Sequence, residues 1–336
     1  MDRQMRNANG ESIAGAVLAR SRATGSRTAL RTSLATWTGT ELVDATVGIA
    51  AALGERRPVS SLPLIIVMRG DPATVAALLA ADLAGRTAVL LPSTSTEKQI
   101  RWAATASCAD LLLQSDTGPI QLGDQNEWID HAHGLCWTDL PSIEVRASEA
   151  ADQPERAGFL CHLTSGTMGS AKLALRTRAA VRAEIDVLRR ALNLTHSDVA
   201  LCTSAVSHSY GCIGGMLTPL LVGATVILAR NPDEMRASLL EADPSIVFGL
   251  GPIYAELLED RTDLERHWRD VRFAFSAGAP LPAGLFERFR ARFGVPIRQD
   301  YGTSESGTIS LDLAAMPQPR SIGEPLPHMR VRLRPP

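Results

Sequence analysis

Residues 160–172 of this 336-residue chain read LCHLTSGTMGSAK and carry the strongest clue to its fold. The segment begins as a short, mostly apolar run that predicts a buried strand, and it continues into a loop rich in hydroxyl groups and glycine. Backbone N–H groups and hydroxyl groups in such a loop can donate to phosphate oxygens, and glycine lets the backbone approach them. Lys172 adds a positive charge. The segment therefore predicts a polyphosphate site, with ATP as the first candidate.

The spacing of this loop excludes a Walker loop. That pattern needs four residues between its first glycine and a Gly-Lys-Ser/Thr ending. Here two residues separate Gly166 from Gly169, and Lys172 stands between Ala171 and Leu173. Many Ser/Thr/Gly loops are purely structural, so the meaning of this loop depends on the rest of the chain.

The composition favours a globular protein without nucleic-acid or membrane partners. The formal net charge is −2 with 21% charged residues, which gives no basic surface for nucleic acid. No apolar run is long enough to span a membrane, and the first residues lack the apolar core of a secretion signal. Five cysteines without paired spacing predict reduced thiols and a cytoplasmic location.

Short apolar runs alternate with amphipathic segments, which predicts α/β layers with mostly parallel sheets. The predicted strands are residues 63–68, 87–91, 111–113, 200–202, 225–228, 245–248 and 272–275, and the predicted helices are residues 40–53, 73–84, 97–106 and 178–192. Residues 115–156 are rich in Gly, Asp, Asn and Pro, and we expect an irregular connection there.

Three later segments, in the same order, strengthen the meaning of the loop. They read SAGAPL at residues 276–281, DYGTSE at 300–305 and SIGEPLP at 321–327. Together with residues 160–172 they resemble the motifs of the adenylate-forming superfamily, which includes acyl- and aryl-CoA ligases, luciferases and the adenylation domains of peptide synthetases. The resemblance implies two stacked αβ subdomains: residues 60–192 with the phosphate loop, and residues 10–59 with 193–330 holding the adenine and acyl pocket.

The resemblance also implies roles for individual residues. Those expected at the ATP phosphates are Thr164, Ser165, Gly166, Thr167, Gly169 and Lys172. Those expected around adenine are Gly278, Ala279, Pro280, Asp300, Tyr301 and Gly302, with the Tyr301 ring packed on the base and Asp300 accepting from its amino group. Ser304 is expected to bond the α-phosphate, and Glu305 is expected to hold Mg²⁺ through a carboxylate oxygen.

Each of these residues also has a structural explanation. Tyr301 is a residue type that packs in cores, and Glu305 fits a solvated loop or a helix N-terminus. Gly278 and Pro280 can simply shape a turn, and Lys172 can be an ordinary surface lysine.

His208-Ser209-Tyr210-Gly211 carries information about the substrate. In acyl- and aryl-CoA ligases and luciferases, a His-x-aromatic-Gly segment places the histidine beside the reacting carboxylate and the α-phosphate, so the resemblance makes His208 catalytic with Lys172, Ser304 and Glu305. Peptide-synthetase domains usually carry Phe-Asp here, and no such aspartate occurs in residues 205–208. We therefore expect a carboxylic acid without an α-amino group. The residues expected around it are His208, Tyr210, Gly249, Gly251 and Pro252, although His208 also fits a core histidine.

The chain departs from the family pattern in two places. Thr177-Arg178 stands where the family has Thr-His, which we expect to alter only a helix start. The chain ends at Pro336, before the family's Thr-Gly-Asp segment, hinge and small lid domain with its adenylation lysine. We therefore expect an ATP- and acid-binding core that adenylates slowly or not at all alone, with a separate lid domain as a possible partner.

The resulting expectation is ATP- and Mg²⁺-dependent formation of an acyl-adenylate, followed by transfer to CoA or to the phosphopantetheine thiol of a carrier protein. Two alternatives stay open. A non-catalytic nucleotide- or acyl-binding protein would show no acid-dependent exchange of pyrophosphate into ATP. A phosphotransferase would release ADP rather than AMP, and the absent Walker spacing disfavours it.

Overall fold

A computed structural model describes residues 12–56, 60–115, 127–130, 134–140, 158–164, 171–327 and 329–332. The residues form two compact units. The first runs to Ala183 and also contains Val206–His208, and the second contains Glu184–Ala205 and the chain from Ser209 onward.

The first unit holds alternating helices and strands. Its elements are α1 (Ile13–Thr24), β1 (Thr28–Thr32), β2 (Thr36–Thr38), α2 (Gly39–Arg56), β3 (Leu64–Met68), α3 (Pro72–Leu83), β4 (Ala88–Pro92), α4 (Glu97–Ser107), β5 (Leu111–Ser115), β6 (Glu127–Asp130), β7 (Leu135–Asp139), β8 (Gly158–Thr164) and β9 (Lys172–Thr177). β1 and β2 pair antiparallel.

The sheet of the first unit has the strand order β6-β7-β5-β3-β4-β8-β9. Its centre is parallel: β3 pairs with β4 and β5, and β4 pairs with β8. Every residue of β3 and β5 is buried, which explains their continuous apolar runs, because a central parallel strand is covered on both faces. Helix α3 begins after the N-cap Asp71, whose side chain accepts from the Thr74 N–H at 2.8 Å.

The expectation of an irregular connection over residues 115–156 is wrong in part. Strands β6 and β7 lie in that range and extend the sheet, β7 pairing antiparallel with β5 and β6 pairing antiparallel with β7. The register between β6 and β7 shifts between Trp128 and Asp130. Short strands that contain polar residues and a bulge show little alternation of apolar and polar residues. The sequence pattern therefore did not predict β6 and β7.

The second unit repeats the alternation. Its elements, with a helix that begins in the first unit, are α5 (Arg178–Ala191), β10 (Val199–Cys202), a π-helix (Tyr210–Leu217), α6 (Thr218–Val222), β11 (Thr225–Leu228), α7 (Pro232–Glu241), β12 (Ile246–Gly249), α8 (Gly251–Glu259), a 3₁₀ helix (Glu265–Trp268), β13 (Phe273–Ser276), α9 (Ala283–Phe293), β14 (Ile297–Thr303), β15 (Gly307–Leu311) and β16 (Glu324–Pro325).

Strands of the second unit follow the order β16-β15-β14-β13-β12-β10-β11. The neighbouring strands from β11 through β10, β12 and β13 to β14 pair in parallel. β15 pairs antiparallel with both β14 and β16. An aromatic group forms the centre of the core, where Trp268 meets both Tyr254 and Phe289 edge-on. The Tyr254 hydroxyl donates to the Phe275 carbonyl at 2.7 Å, so its polar atom is satisfied.

The structure confirms the α/β fold with two mostly parallel sheets, and the predicted strands and helices recur with small shifts at their ends. Within the described ranges, no helix is both long enough and apolar enough to cross a membrane. All five cysteines are free. The division into subdomains at residues 60, 193 and 330 stays a prediction.

Candidate active site

The phosphate-loop segment joins two antiparallel strands of the first unit. Thr164 ends β8 and pairs with Lys172, the first residue of β9. The Thr164 hydroxyl donates to the Lys172 carbonyl at 3.4 Å, and the Lys172 side chain is exposed. The remaining candidates of this loop, Ser165, Gly166, Thr167 and Gly169, lie outside the described residues. The described part therefore establishes the base of the loop and a solvent-accessible ammonium group beside it.

The turn after β13 lies at the surface of the second unit. Gly278, Ala279 and Pro280 are all exposed, and Gly278 has a φ of 84°, a left-handed conformation that glycine adopts without strain. The end of this turn is tied to β14, because the Leu281 N–H donates to the Gln299 side-chain oxygen at 3.0 Å. Ser276 and Gln299 are also partners in the parallel pair of β13 and β14. The exposed turn thus begins beside the strand that carries Tyr301.

β14 changes from buried to exposed at the candidate adenine residues. Asp300 is 5% exposed, whereas the next residue, Tyr301, is 47% exposed. Gly302 faces the start of β15, where a Cβ atom at residue 302 would lie only 2.3 Å from the Gly307 carbonyl oxygen. The hairpin therefore requires glycine at 302, and it presents the Tyr301 ring to solvent where a planar base can stack on it.

The tip of the same hairpin carries the candidate phosphate and metal residues. The Thr303 and Ser306 hydroxyls are 2.9 Å apart, and the Ser306 N–H donates to the Thr303 hydroxyl at 3.1 Å, which closes the turn. Ser304 is half-buried and Glu305 is exposed. The Glu305 carboxylate forms no ion pair with another described residue, so its oxygens are available to a cation.

Asp300 belongs to a buried polar group behind the exposed tyrosine. The Thr308 hydroxyl donates to Asp300 Oδ2 at 3.4 Å, while the Thr308 N–H donates to Glu184 Oε1 at 2.9 Å. Burial, followed by the negative charge of Glu184, raises the pKa of Asp300 to about 8. At neutral pH the Asp300 carboxyl is therefore protonated and able to donate as well as accept a hydrogen bond.

His208 is exposed in the first unit and stands next to the buried Ser207. Partial burial of its imidazole lowers the pKa of His208 below the usual 6.5, so the ring is mainly neutral at pH 7. A neutral imidazole can donate one hydrogen bond without adding charge. That property fits the expected position beside a carboxylate.

The other acid-pocket candidates lie in the second unit. The Tyr210 ring meets Phe248 edge-on with centroids 5.9 Å apart. Burial, and then the charges of Tyr254, Asp300 and Cys202, raise the pKa of Tyr210 far above its usual value. Gly251 is half-buried and Pro252 is exposed at the start of α8. Contact of these residues with an acid stays a prediction.

Gly249 has a packing role that the sequence did not reveal. A Cβ atom at residue 249 would lie 2.7 Å from the Tyr254 ring, so the Tyr254 side chain fills the space that this glycine leaves. Gly251 differs, because a Cβ atom there would meet its neighbours only at ordinary distances of 3.9 Å and more. The space beside Gly249 is therefore filled by Tyr254, whereas Gly251 leaves room around it.

Two residues of this region were missed by the sequence analysis. Gln299 accepts from Leu281 and donates through Nε2 to the Ser321 carbonyl at 2.9 Å, so it joins the turn after β13 to the segment that precedes β16. Glu184 receives the Thr308 N–H. The signal that could have identified both residues is a polar side chain among buried positions. Gln299 lies in the buried half of β14, and Glu184 lies next to the apolar positions of α5.

Comparison with known proteins identifies the family of this chain. The AMP-binding enzyme family matches residues 18–335. A p-hydroxybenzoic acid–AMP ligase of Mycobacterium marinum is 29% identical over 217 residues, which cover 59% of this chain and 31% of the relative. A 3,4-dihydroxybenzoate–[aryl-carrier protein] ligase of Bacillus anthracis is 29% identical over 198 residues, 58% of this chain and 45% of the relative.

A solved structure shows the same fold. A malonyl-CoA ligase, in a ternary product complex with methylmalonyl-CoA and AMP, superposes with a TM-score of 0.74 at 26% identity, covering 93% of this chain and 66% of that one. The matched part spans less than half the length of both curated relatives. The family model covers nearly the whole chain, and this chain belongs to the AMP-binding enzyme family.

Proposed function

We propose that this protein activates a carboxylic acid without an α-amino group as its acyl-adenylate, using ATP and releasing pyrophosphate. The observation that carries the proposal is the β14–β15 hairpin. It presents the Tyr301 ring, Ser304 and the exposed Glu305 carboxylate together, beside a glycine turn held by Gln299. The family match covers both the phosphate-loop segment and this hairpin.

ATP binding is assigned to two groups of residues. Tyr301 stacks on the adenine ring, and the turn of Gly278, Ala279 and Pro280 lies along it, because a turn without large side chains lets the backbone approach a flat base. Lys172 and the loop from Thr164 neutralise the phosphates through one ammonium group and several hydroxyl and N–H donors. Ser304 donates to the α-phosphate.

The chemical step joins two anions. A carboxylate oxygen of the acid attacks the α-phosphorus and forms a new P–O bond, while the bond from that phosphorus to the bridging oxygen breaks and its electrons leave with pyrophosphate. His208 donates its imidazole N–H to the carboxylate or to an α-phosphate oxygen. This bond orients the nucleophile and eases the approach of like charges.

A magnesium ion fits the residues at the hairpin tip. The Glu305 carboxylate is exposed and forms no ion pair with the described residues, and a carboxylate oxygen is a ligand that Mg²⁺ prefers. When bound, the ion neutralises charge on the phosphates. Glu305 is thus assigned to hold it.

The acid class and the acceptor follow from the relatives by analogy. Their names include hydroxybenzoates as acids, CoA and an aryl-carrier protein as acceptors. We propose a small aryl or short acid here, with Tyr210, Gly251 and Pro252 around its apolar part and Gly249 behind them. The adenylate then passes to the thiol of CoA or of a phosphopantetheine carrier. A lid domain, on this chain or on a separate one, belongs to the same proposal.

A thermal-shift screen tests binding without requiring turnover. ATP with Mg²⁺ should raise the melting temperature, because a ligand that binds only the folded protein stabilises it by mass action. Lys172→Ala and Glu305→Ala should each reduce that shift, whereas the exposed controls Lys98→Ala and Glu287→Ala should retain it. Equal shifts in all four variants would overturn these assignments.

Exchange of labelled pyrophosphate into ATP tests the reaction. Hydroxybenzoates, benzoate, malonate and methylmalonate form the acid panel, and alanine and phenylalanine are the amino-acid controls. Exchange with an acid of the panel and none with the amino acids supports the proposal. The exchange is measured with the lid domain supplied, on the same chain or as a separate one. ATP binding without exchange for any acid under that condition would instead indicate a non-catalytic nucleotide-binding protein.

A further inference from the structure

A buried histidine in β8 contacts the segment that carries His208. His162 is fully buried, and its Nδ1 atom lies 2.9 Å from the carbonyl oxygen of Ser207, which is also buried. A carbonyl oxygen only accepts hydrogen bonds, so Nδ1 must carry the hydrogen and donate it. This contact joins the strand that leads into the phosphate loop to the residue immediately before His208.

The His162 ring keeps the same charge state, and therefore the same hydrogen bond to the Ser207 carbonyl, across the neutral pH range. Burial, together with the nearby positive charges of His208 and Arg176, lowers the pKa of His162 to about 4. Across the neutral range the ring is therefore uncharged, with a single N–H that is committed to Ser207. The Nε2 atom has no hydrogen-bond partner among the described residues, so the bond to Ser207 is the hydrogen bond that orients the ring there.

The short segment around Ser207 belongs to a different unit from its neighbours in the chain. Val206–His208 belongs to the first unit, although the chain on both sides of it belongs to the second. The Ser207 hydroxyl is buried without a partner among the described residues, so the hydroxyl does not fasten the segment. Because these three residues belong to a different unit from the chain on either side, we expect a specific contact to hold them. The hydrogen bond from His162 to the Ser207 carbonyl is such a contact.

We propose that His162 is a positioning residue for His208, holding the Val206–His208 segment so that the His208 imidazole meets the reacting carboxylate. The inference rests on the proposed function, in which His208 contacts the acid. A misplacement of about 1 Å at such a group can cost on the order of 100-fold in rate. A buried histidine that only fills the core would instead affect stability and leave the reaction unchanged.

Two substitutions separate the hydrogen bond from the packing. His162→Leu keeps an apolar side chain but removes the donor. His162→Asn keeps a donor, because the Asn amide nitrogen occupies about the position of Nδ1. Cys161→Ala is the control for lost packing: Cys161 is the neighbouring buried residue of β8, and it lies in the apolar cluster with Ile65 and Val67.

Hydrogen exchange tests the anchor without any activity. We expect faster exchange of the amides in residues 206–210 in His162→Leu, and near-wild-type exchange in His162→Asn and Cys161→Ala. Unchanged exchange in His162→Leu would overturn the proposal whatever the enzyme does. Faster exchange in all three variants at matched stability would mean that His162 only packs in the core. That result would also overturn the proposal.

Kinetics test the effect on His208. With an acid that the wild type activates, His162→Leu should lower kcat/KM for the acid by about 10- to 100-fold, with the KM for ATP unchanged and with recovery in His162→Asn. In a His208→Ala background, His162→Leu should lower kcat/KM little further, because His162 acts on the reaction by positioning His208. Additive losses in the double variant would overturn the positioning role. A wild type that exchanges no acid even with a lid domain supplied would contradict the proposed function, and hydrogen exchange would still decide the anchor.

Discussion

The backbone N–H of Leu281 donates a hydrogen bond to the side-chain oxygen of Gln299 at 3.0 Å, inside the second unit. The amide nitrogen of the same Gln299 donates to the Ser321 carbonyl at 2.9 Å. One buried side chain therefore joins the turn of Gly278, Ala279 and Pro280 to a second surface segment. Because Gln299 lies two residues before Tyr301, it also sets the turn beside the exposed ring.

The first prediction concerns this bridge. Gln299→Leu leaves the Leu281 N–H and the Ser321 carbonyl without their partner, and the unsatisfied buried Leu281 N–H costs about 1–3 kcal/mol. We expect a lower melting temperature and a nucleotide affinity that falls about tenfold, measured by calorimetric titration with ATP and Mg²⁺. The control Gln318→Leu changes an exposed glutamine and should leave both quantities unchanged. Wild-type affinity in Gln299→Leu would contradict the role of the bridge.

The second prediction concerns Gly302. Gly302→Ala places a Cβ atom 2.3 Å from the Gly307 carbonyl oxygen, which must move the hairpin strands apart. We expect a loss of stability of about 1–3 kcal/mol and weaker ATP binding, because the tip with Ser304 and Glu305 moves with the strands.

Gly284→Ala is the matched control for that change. A Cβ atom at residue 284 meets nothing within 4 Å, and the residue lies in α9. Alanine should therefore be neutral or stabilise the protein by up to about 1 kcal/mol. Equal losses in the two glycine variants, measured by urea unfolding, would exclude the steric explanation.

The third prediction is a pH dependence that arises from Asp300. Its pKa is about 8 in the folded protein, against an ordinary 3.8. The unfolded chain releases this proton as pH rises above 3.8, while the folded protein keeps it, so Asp300 lowers the free energy of unfolding progressively until pH reaches about 8. Asp300→Asn should remove that loss and unfold at higher urea than the wild type at about pH 8, with a smaller difference at about pH 5. A difference that does not change with pH would contradict the raised pKa.

The fourth prediction comes from His162 and has the opposite sign. Its pKa is lowered from 6.5 to about 4, so the unfolded chain takes up a proton below pH 6.5 and the folded protein does not. The stability that His162 contributes is complete above pH 6.5 and falls as pH drops toward 4. His162→Asn has no ring to protonate and should flatten the unfolding curve in that range. His267→Asn changes a more exposed histidine and is the comparison. Equal acid sensitivity in the wild type and His162→Asn would contradict this account.

Continuous apolar runs explain why much of the fold was predictable. The buried strands β3, β5 and β12 have such runs, and capped helices such as α3 and α4 separate the strands. The sequence did not predict strands β6 and β7, because antiparallel strands beside a bulge need no strong alternation of apolar and polar residues. It did not predict the π-helix at Tyr210–Leu217 either, since its glycines carry no helical signal.

Sequence motifs indicated the exposed residues of the candidate site better than the residues that support them. Tyr301 and Glu305 stand in a recognisable string and are exposed in the structure. Gln299 and Glu184 carry no motif, because their roles depend on partners far away in the sequence, Leu281 and Thr308. His162 stands inside the phosphate-loop segment, but its contact with Ser207 also joins residues far apart in the sequence. Long-range contacts of this kind become visible only when the chain is folded.

The most direct test of the account follows the oxygen of the acid. An acid from the panel, labelled with ¹⁸O in its carboxyl group, is incubated with the protein, ATP, Mg²⁺ and hydroxylamine, and the nucleotide product is examined by mass spectrometry. Because a carboxylate oxygen attacks the α-phosphorus and stays there when the acyl group leaves, the account predicts one ¹⁸O atom in AMP. Release of ADP with ¹⁸O in inorganic phosphate, or AMP without label, would contradict it.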